Sequence, residues 1–149
     1  MNYYIRTMKP EDMEAVVELY ILAYADDVWS EKWQQKAVYN RISEITLSPE
    51  AVSLVYIEDN EIRGCILCTL MSWHTGKQLE IRELFINPLH QNRGIGLKLM
   101  TQIEAMIPEL DVSELFLWTK GDIKLVNFYK KCGYGIVDDT VQMIKRIRR

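Results

Sequence analysis

Apolar and polar residues recur along this chain with two periods, one typical of strands and the other of helices. Residues 3–8 (YYIRTM) alternate and predict a first strand. Apolar residues then recur at helical spacing from Pro10, which suits a first helical turn, to about Ala25. A second helix is predicted from near Ser30, an N-cap type of residue, to just before Pro49.

The middle of the chain predicts three consecutive strands. Two β-rich runs, residues 51–58 and 61–73, flank the polar pair DN and predict a hairpin. The turn HTGK follows and leads into a strand over residues 79–87, which Pro88 ends. This region therefore predicts most of the sheet.

The second half of the chain alternates between helices and strands. Residues 94–107 predict a helix, residues 113–119 a strand, and residues 122–132 a further helix that Gly133 ends. Two final runs, 134–139 and 140–147, predict a closing pair of strands.

This order, β-α-α-β-β-β-α-β-α-β-β, predicts one α/β domain over residues 1–149, with a mixed sheet and helices on both faces. The chain has 149 residues, 48% of them hydrophobic, which is enough to bury a core. Its net charge is −3 and its only basic cluster lies at 144–149, so we expect no nucleic-acid partner. No apolar stretch approaches the ~20 residues of a membrane span, so we expect no membrane partner.

The three cysteines predict free thiols in a reducing cytoplasm, because their count is odd and the chain shows no secretory leader. Cys65 and Cys68 lie three apart on a predicted strand, so their side chains point to opposite faces and serve packing rather than a shared metal. His74 and His90 have no companion ligands in the sequence. We therefore predict no metal site.

The stretch PLHQNRGIG (88–96) lies where a predicted strand becomes a predicted helix. The first amides of a helix have no partner within it and carry partial positive charge, which suits a phosphate. Gly94 and Gly96 let a ligand approach the backbone, and Arg93 adds a positive charge. The Walker A pattern is absent, and Leu99 stands where a dinucleotide fingerprint needs its third glycine.

The wider spacing resembles the coenzyme A-binding motif of the GCN5-related N-acetyltransferase (GNAT) family, Q/R-x-x-G-x-G/A. The matching residues are Gln91, Asn92, Arg93, Gly94, Ile95 and Gly96. The segment DIKLVNFYKKCGY (122–134) resembles a second motif of the family, and the element order agrees over about residues 3–147. The resemblance implies a GNAT-like domain with a mostly antiparallel mixed sheet, whose fourth and fifth strands splay apart.

The resemblance also implies where acetyl-CoA binds. The diphosphate lies on the amides of about residues 92–97, which include Leu97, and the pantetheine arm pairs with the backbone of Leu84, Phe85 and Ile86. Asp122 stands where the family often has an asparagine that contacts this arm. An ionised Asp122 cannot donate a hydrogen bond, and its alternative role is to cap the helix that follows.

Three side chains are candidates for the chemistry. By resemblance, Tyr129 protonates the departing thiolate; its alternative role is packing beside Phe128. An alkyl ammonium with a pKa near 10.4 is neutral in about one molecule in 2,500 at pH 7, so the amine needs a base. By resemblance, Glu80 aligns with the base of the histone-acetylating members, and Glu83 is the second candidate. A surface salt bridge is an equal alternative role for either. On a regular strand they face opposite sides, so only a bulge brings both to one cleft.

Acceptor recognition is predicted from the first two helices and the turns beside the cleft, where Tyr24, Trp29, Trp33 and Trp73 are the candidates. Aromatic walls with acidic groups suit a cationic amine, while a core or dimer-interface role for the tryptophans is an equal alternative. A homodimer is therefore reasonable. Leu117 stands where the members that acetylate ribosomal-protein N-termini have a catalytic glutamate, which disfavours that subfamily.

The sequence thus predicts an acyltransferase, an acetyl-CoA-dependent N-acetyltransferase in which a primary amine attacks the thioester directly within a ternary complex. Its acceptor is a small molecule or a peptide. Two alternatives remain open: a non-catalytic acyl-CoA-binding sensor of the same fold, and a phosphate-binding domain for another nucleotide.

Overall fold

The structure, a computed structural model, describes residues 2–148 and contains a five-stranded mixed sheet whose strands lie in chain order. The strands are β1 (Tyr3–Thr7), β2 (Ala51–Glu58), β3 (Glu61–Trp73), β4 (Gly76–Ile86) and β5 (Val112–Leu117). The first four are antiparallel, and β4 and β5 are parallel because a helical crossover connects them. The predicted fold class is confirmed.

Four α-helices cover the sheet: α1 (Met13–Tyr24), α2 (Gln35–Thr46), α3 (Ile95–Met106) and α4 (Ile123–Lys131). The second helix begins later than predicted. Ser30 has a φ of 49°, in the left-handed region, and its backbone N–H donates to the Asp26 carbonyl in a turn. Ser30 is therefore part of the irregular loop after α1 and does not cap α2.

The sheet separates two apolar cores. Side chains of α1 and α2, such as Val16 and Ile42, pack on one face, and side chains of α3, such as Leu99, pack on the other. Cys65 belongs to the first core and Cys68 to the second, which confirms their opposite orientation. Burial raises the pKa of the Cys68 thiol to about 12, as expected for a packing residue.

The parallel pair β4 and β5 separates part of the way along. Pairing runs from Lys77 with Val112 to Ile81 with Leu117, where β5 ends, while β4 continues to Ile86. Beyond Ile81, β4 pairs only with β3, which leaves the backbone groups of its other edge without a strand partner. The predicted splay is confirmed.

A bulge in β4 lies at the same point. Leu67 of β3 is opposite Glu83 and Cys68 is opposite Ile81, so Arg82 is one extra residue on β4. A one-residue insertion shifts the alternation of side chains between the two faces. The bulge therefore brings Glu80 and Glu83 to the same side of the sheet.

The predicted closing strands were wrong. Residues 134–148 contain neither helix nor strand, and their apolar side chains are exposed, Ile136 by 69% and Met143 by 87%. Strand propensity describes how well a side chain fits a half-buried sheet, and it forms a strand only where a ladder partner is present. This segment does not pair with the outer edge of β5.

Within residues 2–148, no helix combines the length and the apolar character that crossing a bilayer requires.

Candidate active site

A cavity of about 610 Å³ lies between the end of β4, the start of α3 and the start of α4. We call it the α3 cavity. Its wall contains most of the residues that the sequence predicts for cofactor binding: Leu84, Phe85, Ile86, Gln91, Asn92, Gly94, Ile95, Gly96, Leu97, Asp122 and Tyr129. Arg93 is outside this wall and exposed, with Nη1 3.4 Å from Nδ1 of His90.

The N-terminus of α3 faces this cavity with unpaired amides. Gly94 precedes the helix with a φ of 81°, and no side chain caps this end. The Lys98 N–H donates to the Gly94 carbonyl, so the amides of residues 94–97 have no partner within the helix. A Cβ on Gly94 would meet nothing within 4 Å, which shows that glycine is required there for its left-handed backbone and not for space.

Gly96 has a different reason to be glycine. A Cβ at this position would lie 3.2 Å from Cζ of Phe128 on α4. The close approach of α3 and α4 therefore favours glycine at position 96 independently of any ligand, because a larger residue would have to displace the Phe128 ring. Sequence reasoning connected this glycine with a phosphate only, because the contact joins two distant segments.

Asp122 is the N-cap of α4. Its Oδ2 accepts hydrogen bonds from the backbone N–H groups of Lys124 (3.1 Å) and Leu125 (3.2 Å). The alternative role given to Asp122 by the sequence is thus the one found, and the carboxylate still forms part of the α3 cavity wall.

A second cavity, of about 460 Å³, lies between α1, the loop after it, β4 and the end of β5. We call it the tryptophan cavity, after Trp29, Trp33 and Trp118 in its wall. Five residues belong to both walls: Tyr24, Trp29, Leu84, Leu125 and Tyr129. The two cavities therefore meet where β4 leaves β5.

Tyr129 lies at this junction. Burial, with smaller effects of Cys132 and Glu83, raises the pKa of the Tyr129 phenol well above its ordinary value. The side chain is thus a protonated donor at every pH at which proteins normally work. Its ring packs edge-on against Phe128, with ring centroids 5.0 Å apart, so the predicted packing contact is present too.

Glu83 is buried and accepts three hydrogen bonds. Its carboxylate accepts from Tyr24 Oη at 2.7 Å, Tyr20 Oη at 3.1 Å and Arg41 Nε at 2.6 Å. These donors fix the carboxylate and compensate its charge. Glu83 therefore holds α1, α2 and β4 together.

Glu80 has a different environment in the same cavity. Its side chain is 28% exposed, and within residues 2–148 its oxygens accept no hydrogen bond. The nearest cation is Arg82, whose Nε lies 3.9 Å from Oε1, beyond hydrogen-bond distance. Of the two candidate bases, Glu80 is thus the carboxylate with free lone pairs.

The predicted acceptor residues divide between sites. Tyr24, Trp29 and Trp33 are in the tryptophan cavity, whereas Trp73 lines a third cavity beside β5 and the C-terminal segment. Sequence reasoning missed several residues of the tryptophan cavity: Tyr20, Arg41, Arg82 and Trp118. The i,i+4 spacing of Tyr20 and Tyr24 was the one signal that pointed to a shared face.

The buried phenols predict a loss of stability at alkaline pH. Burial, and next the charge of Glu83, raises the pKa values of Tyr20 and Tyr24 above the ordinary value of 10.0. In the unfolded chain these phenols ionise near pH 10, so above it the folded state holds more protons and unfolding becomes easier as the pH rises.

We expect urea unfolding to give the full free energy of unfolding at pH 8 and a clearly lower value at pH 11. Tyr24→Phe should reduce this difference, and Tyr39→Phe, at an exposed position, should not. An equal pH dependence of both variants would contradict the network around Glu83.

In this structure the parallel pair β4 and β5 splays apart, and the N-terminus of α3 lies at the split. The family model of the acetyltransferase (GNAT) family matches residues 13–134. The chain belongs to this family.

Relatives and solved structures are consistent with this membership. The chain is 34% identical over 71 residues to an uncharacterized N-acetyltransferase of Chlorobaculum tepidum. This match covers 48% of this chain and 43% of the relative. It is 30% identical over 93 residues to the uncharacterized protein YdhI of Bacillus subtilis, over 62% of this chain and 54% of the relative. The chain thus spans about half the length of the curated relatives it matches.

Many solved structures share the fold. A protein of Clostridium difficile described as a possible acetyltransferase superposes with a TM-score of 0.84 at 14% identity, over 99% of this chain and 100% of that one. The PaiA N-acetyltransferase of Thermoplasma acidophilum, solved in complex with coenzyme A, gives 0.74 at 18% identity, over 93% and 92%.

Proposed function

We propose that the chain is a single-domain N-acetyltransferase that moves an acetyl group from acetyl-CoA to a primary amine. The observation that carries this proposal is the junction of the α3 cavity and the tryptophan cavity at Tyr24, Leu84 and Tyr129. Two cavities that share a wall allow two reactants to meet, as direct transfer in a ternary complex requires.

The free thiols of Cys65, Cys68 and Cys132 support a cytoplasmic location.

The α3 cavity fits acetyl-CoA in two respects. The uncapped amides of residues 94–97 would hold the diphosphate, because they present unpaired donors and partial positive charge. The free edge of β4 at Leu84, Phe85 and Ile86 would pair with the amides of the pantetheine arm. Gln91 already donates from Nε2 to the Ile86 carbonyl at 3.4 Å. The Asn87 N–H donates to Arg63 on β3, so by alternation the backbone of Phe85 also faces β3, and Leu84 is the more available partner.

When bound, acetyl-CoA supplies the acetyl group as a thioester that a neutral amine can attack. The backbone amide of Leu84, on the free edge of β4, would donate to the carbonyl oxygen as negative charge develops on it. Glu80 would take a proton from the substrate ammonium, directly or through water, and so leave the neutral amine that attacks. Tyr129 would donate its phenolic proton to the sulfur as the carbon–sulfur bond breaks. Glu83 would act as a positioning residue for Tyr24.

The experiment that tests this function mixes purified protein, acetyl-CoA and a panel of primary amines, and measures free thiol. We expect amine-dependent thiol release with a subset of the panel. Measurable acetyl-CoA binding without thiol release from any amine would instead favour the acyl-CoA sensor. Stabilisation by ATP or NAD equal to that by acetyl-CoA would overturn the cofactor assignment itself.

Gly96→Asp is expected to weaken acetyl-CoA binding by at least about tenfold, because it places a negative charge at the end of α3 that would hold the diphosphate. Isothermal titration calorimetry measures the effect. Gly96→Ala is the matched control, since its methyl group also meets Phe128 but adds no charge. Equal affinities of the two variants would contradict the placement of the diphosphate.

A further inference from the structure

Two arginines in the wall of the tryptophan cavity have donors that the protein does not use. Arg41 contributes only its Nε to Glu83, and within residues 2–148 its two terminal nitrogens donate to no protein atom. Arg82, the extra residue of the β4 bulge, makes no hydrogen bond in the same part of the chain. Both side chains are about one-third exposed, at 37% and 36%, and both face the cavity.

The carboxylates of the same wall are mostly engaged. Glu83 accepts three hydrogen bonds, and Glu31 accepts one from Trp33 Nε1 at 2.9 Å. Glu80 alone has no donor among the described residues. The charged groups of this wall that are left for an acceptor molecule are therefore one carboxylate and two guanidinium groups.

These free groups lie side by side. Arg82 Nε and Glu80 Oε1 are 3.9 Å apart, within ion-pair distance but beyond hydrogen-bond distance, so both keep hydrogen-bonding atoms for neighbouring groups of one ligand. A guanidinium binds a carboxylate through two parallel hydrogen bonds, and a carboxylate binds an ammonium. A ligand complementary to both carries an ammonium and a carboxylate on one carbon atom.

We propose that the acceptor is an α-amino acid, held by Arg82 through its carboxylate and presented by Glu80 through its amine, with a large apolar or aromatic side chain against the tryptophans. This inference rests on the proposed transferase function and names its substrate class. A volume of about 460 Å³ suits a ligand of this size. The terminal nitrogens of Arg41 supply further donors for the carboxylate, and a polyamine or an alkylamine would leave these donors unused.

The test compares each large apolar or aromatic amino acid with its amide and with the amine that lacks the carboxyl group, and putrescine and phosphoethanolamine complete the panel. Thiol release gives KM and kcat, and calorimetry on CoA-saturated protein gives the affinity without turnover. We expect the preferred amino acid to have a KM at least about tenfold below that of its amide, as loss of a charge-assisted hydrogen bond implies.

Three variants sharpen the result. Arg82→Gln should abolish the preference for the amino acid over its amide, and Arg82→Lys, which keeps the charge without the planar fork, should retain part of it. Lys36→Gln removes an exposed positive charge from the same helix as Arg41 and should leave the preference unchanged. Thermal unfolding of each variant checks that the fold is intact.

The outcomes separate the two proposals. Thiol release with amides, alkylamines, putrescine or phosphoethanolamine at KM values equal to or lower than those of the amino acids would overturn the substrate class while the transferase function stands. Amino-acid binding to CoA-saturated protein that is lost in Arg82→Gln, without thiol release, would support the substrate class and overturn the function. No binding of any amino acid would overturn the substrate class.

Discussion

Glu80→Gln is expected to lower kcat at neutral pH by about 10²–10⁴-fold, the usual contribution of a general base. The amide keeps the size of the side chain and removes its capacity to accept a proton. The defect should shrink as the pH rises, because a growing fraction of the amine is then neutral without help from the protein. A pH profile of kcat for the wild type and the variant measures both effects.

Glu83→Gln is the matched control, since it makes the same change on the same strand and the same side of the sheet. We expect it to cost about 1–3 kcal/mol in the free energy of unfolding, because Tyr20, Tyr24 and Arg41 lose a common ionised partner. Any loss of kcat in Glu83→Gln should not become smaller as the pH rises. If instead Glu83→Gln lowered kcat by an amount that shrinks as the pH rises, and Glu80→Gln left kcat unchanged, the roles of the two glutamates would be reversed.

Tyr129→Phe is expected to lower kcat by about 10²-fold and to change the affinity for acetyl-CoA by less than about threefold. The phenylalanine keeps the packing against Phe128 and removes only the donor to the departing sulfur. Burial raises the pKa of this phenol, so the wild-type rate should show no loss attributable to Tyr129 as the pH rises to about 10. Single-turnover kinetics measures the rate of the chemical step, and calorimetry measures the affinity for acetyl-CoA.

Tyr134→Phe controls for the loss of a buried hydroxyl near the same site. The rings of Tyr129 and Tyr134 lie 6.0 Å apart, the Tyr134 hydroxyl has no hydrogen-bond partner in the described part of the chain, and this residue lies outside both proposed reactant cavities. We expect its kcat to be close to that of the wild type. Equal losses of kcat and affinity in Tyr129→Phe would assign that residue to structure alone.

The features that depend on neighbouring residues were predictable from the sequence. Pro88, Gly94 and the apolar spacing after it locate the start of α3, and Asp122 precedes α4 as an N-cap residue would. The element order up to α4 followed from the same signals. The splay of β4 from β5 came from the resemblance of the motif at 91–96 and not from periodicity.

The β4 bulge was not predictable, because it depends on the register between β3 and β4 and has no glycine or proline to mark it. This bulge places Glu80 and Glu83 on the same side of the sheet, so their access to one cavity depends on it. The contact of Arg41 with Glu83 joins residues 42 positions apart, for which the sequence has no local signal. The strand prediction over residues 134–147 failed for a related reason, since strand propensity does not specify a pairing partner.

A crystal structure with acetyl-CoA is the most direct test of the central claim. We predict the diphosphate on the amides of residues 94–97, the pantetheine arm along the free edge of β4 at Leu84 and Ile86, and the thioester beside Tyr129. A ligand bound elsewhere, with β4 and β5 paired along their whole length and no passage between the two cavities, would contradict it.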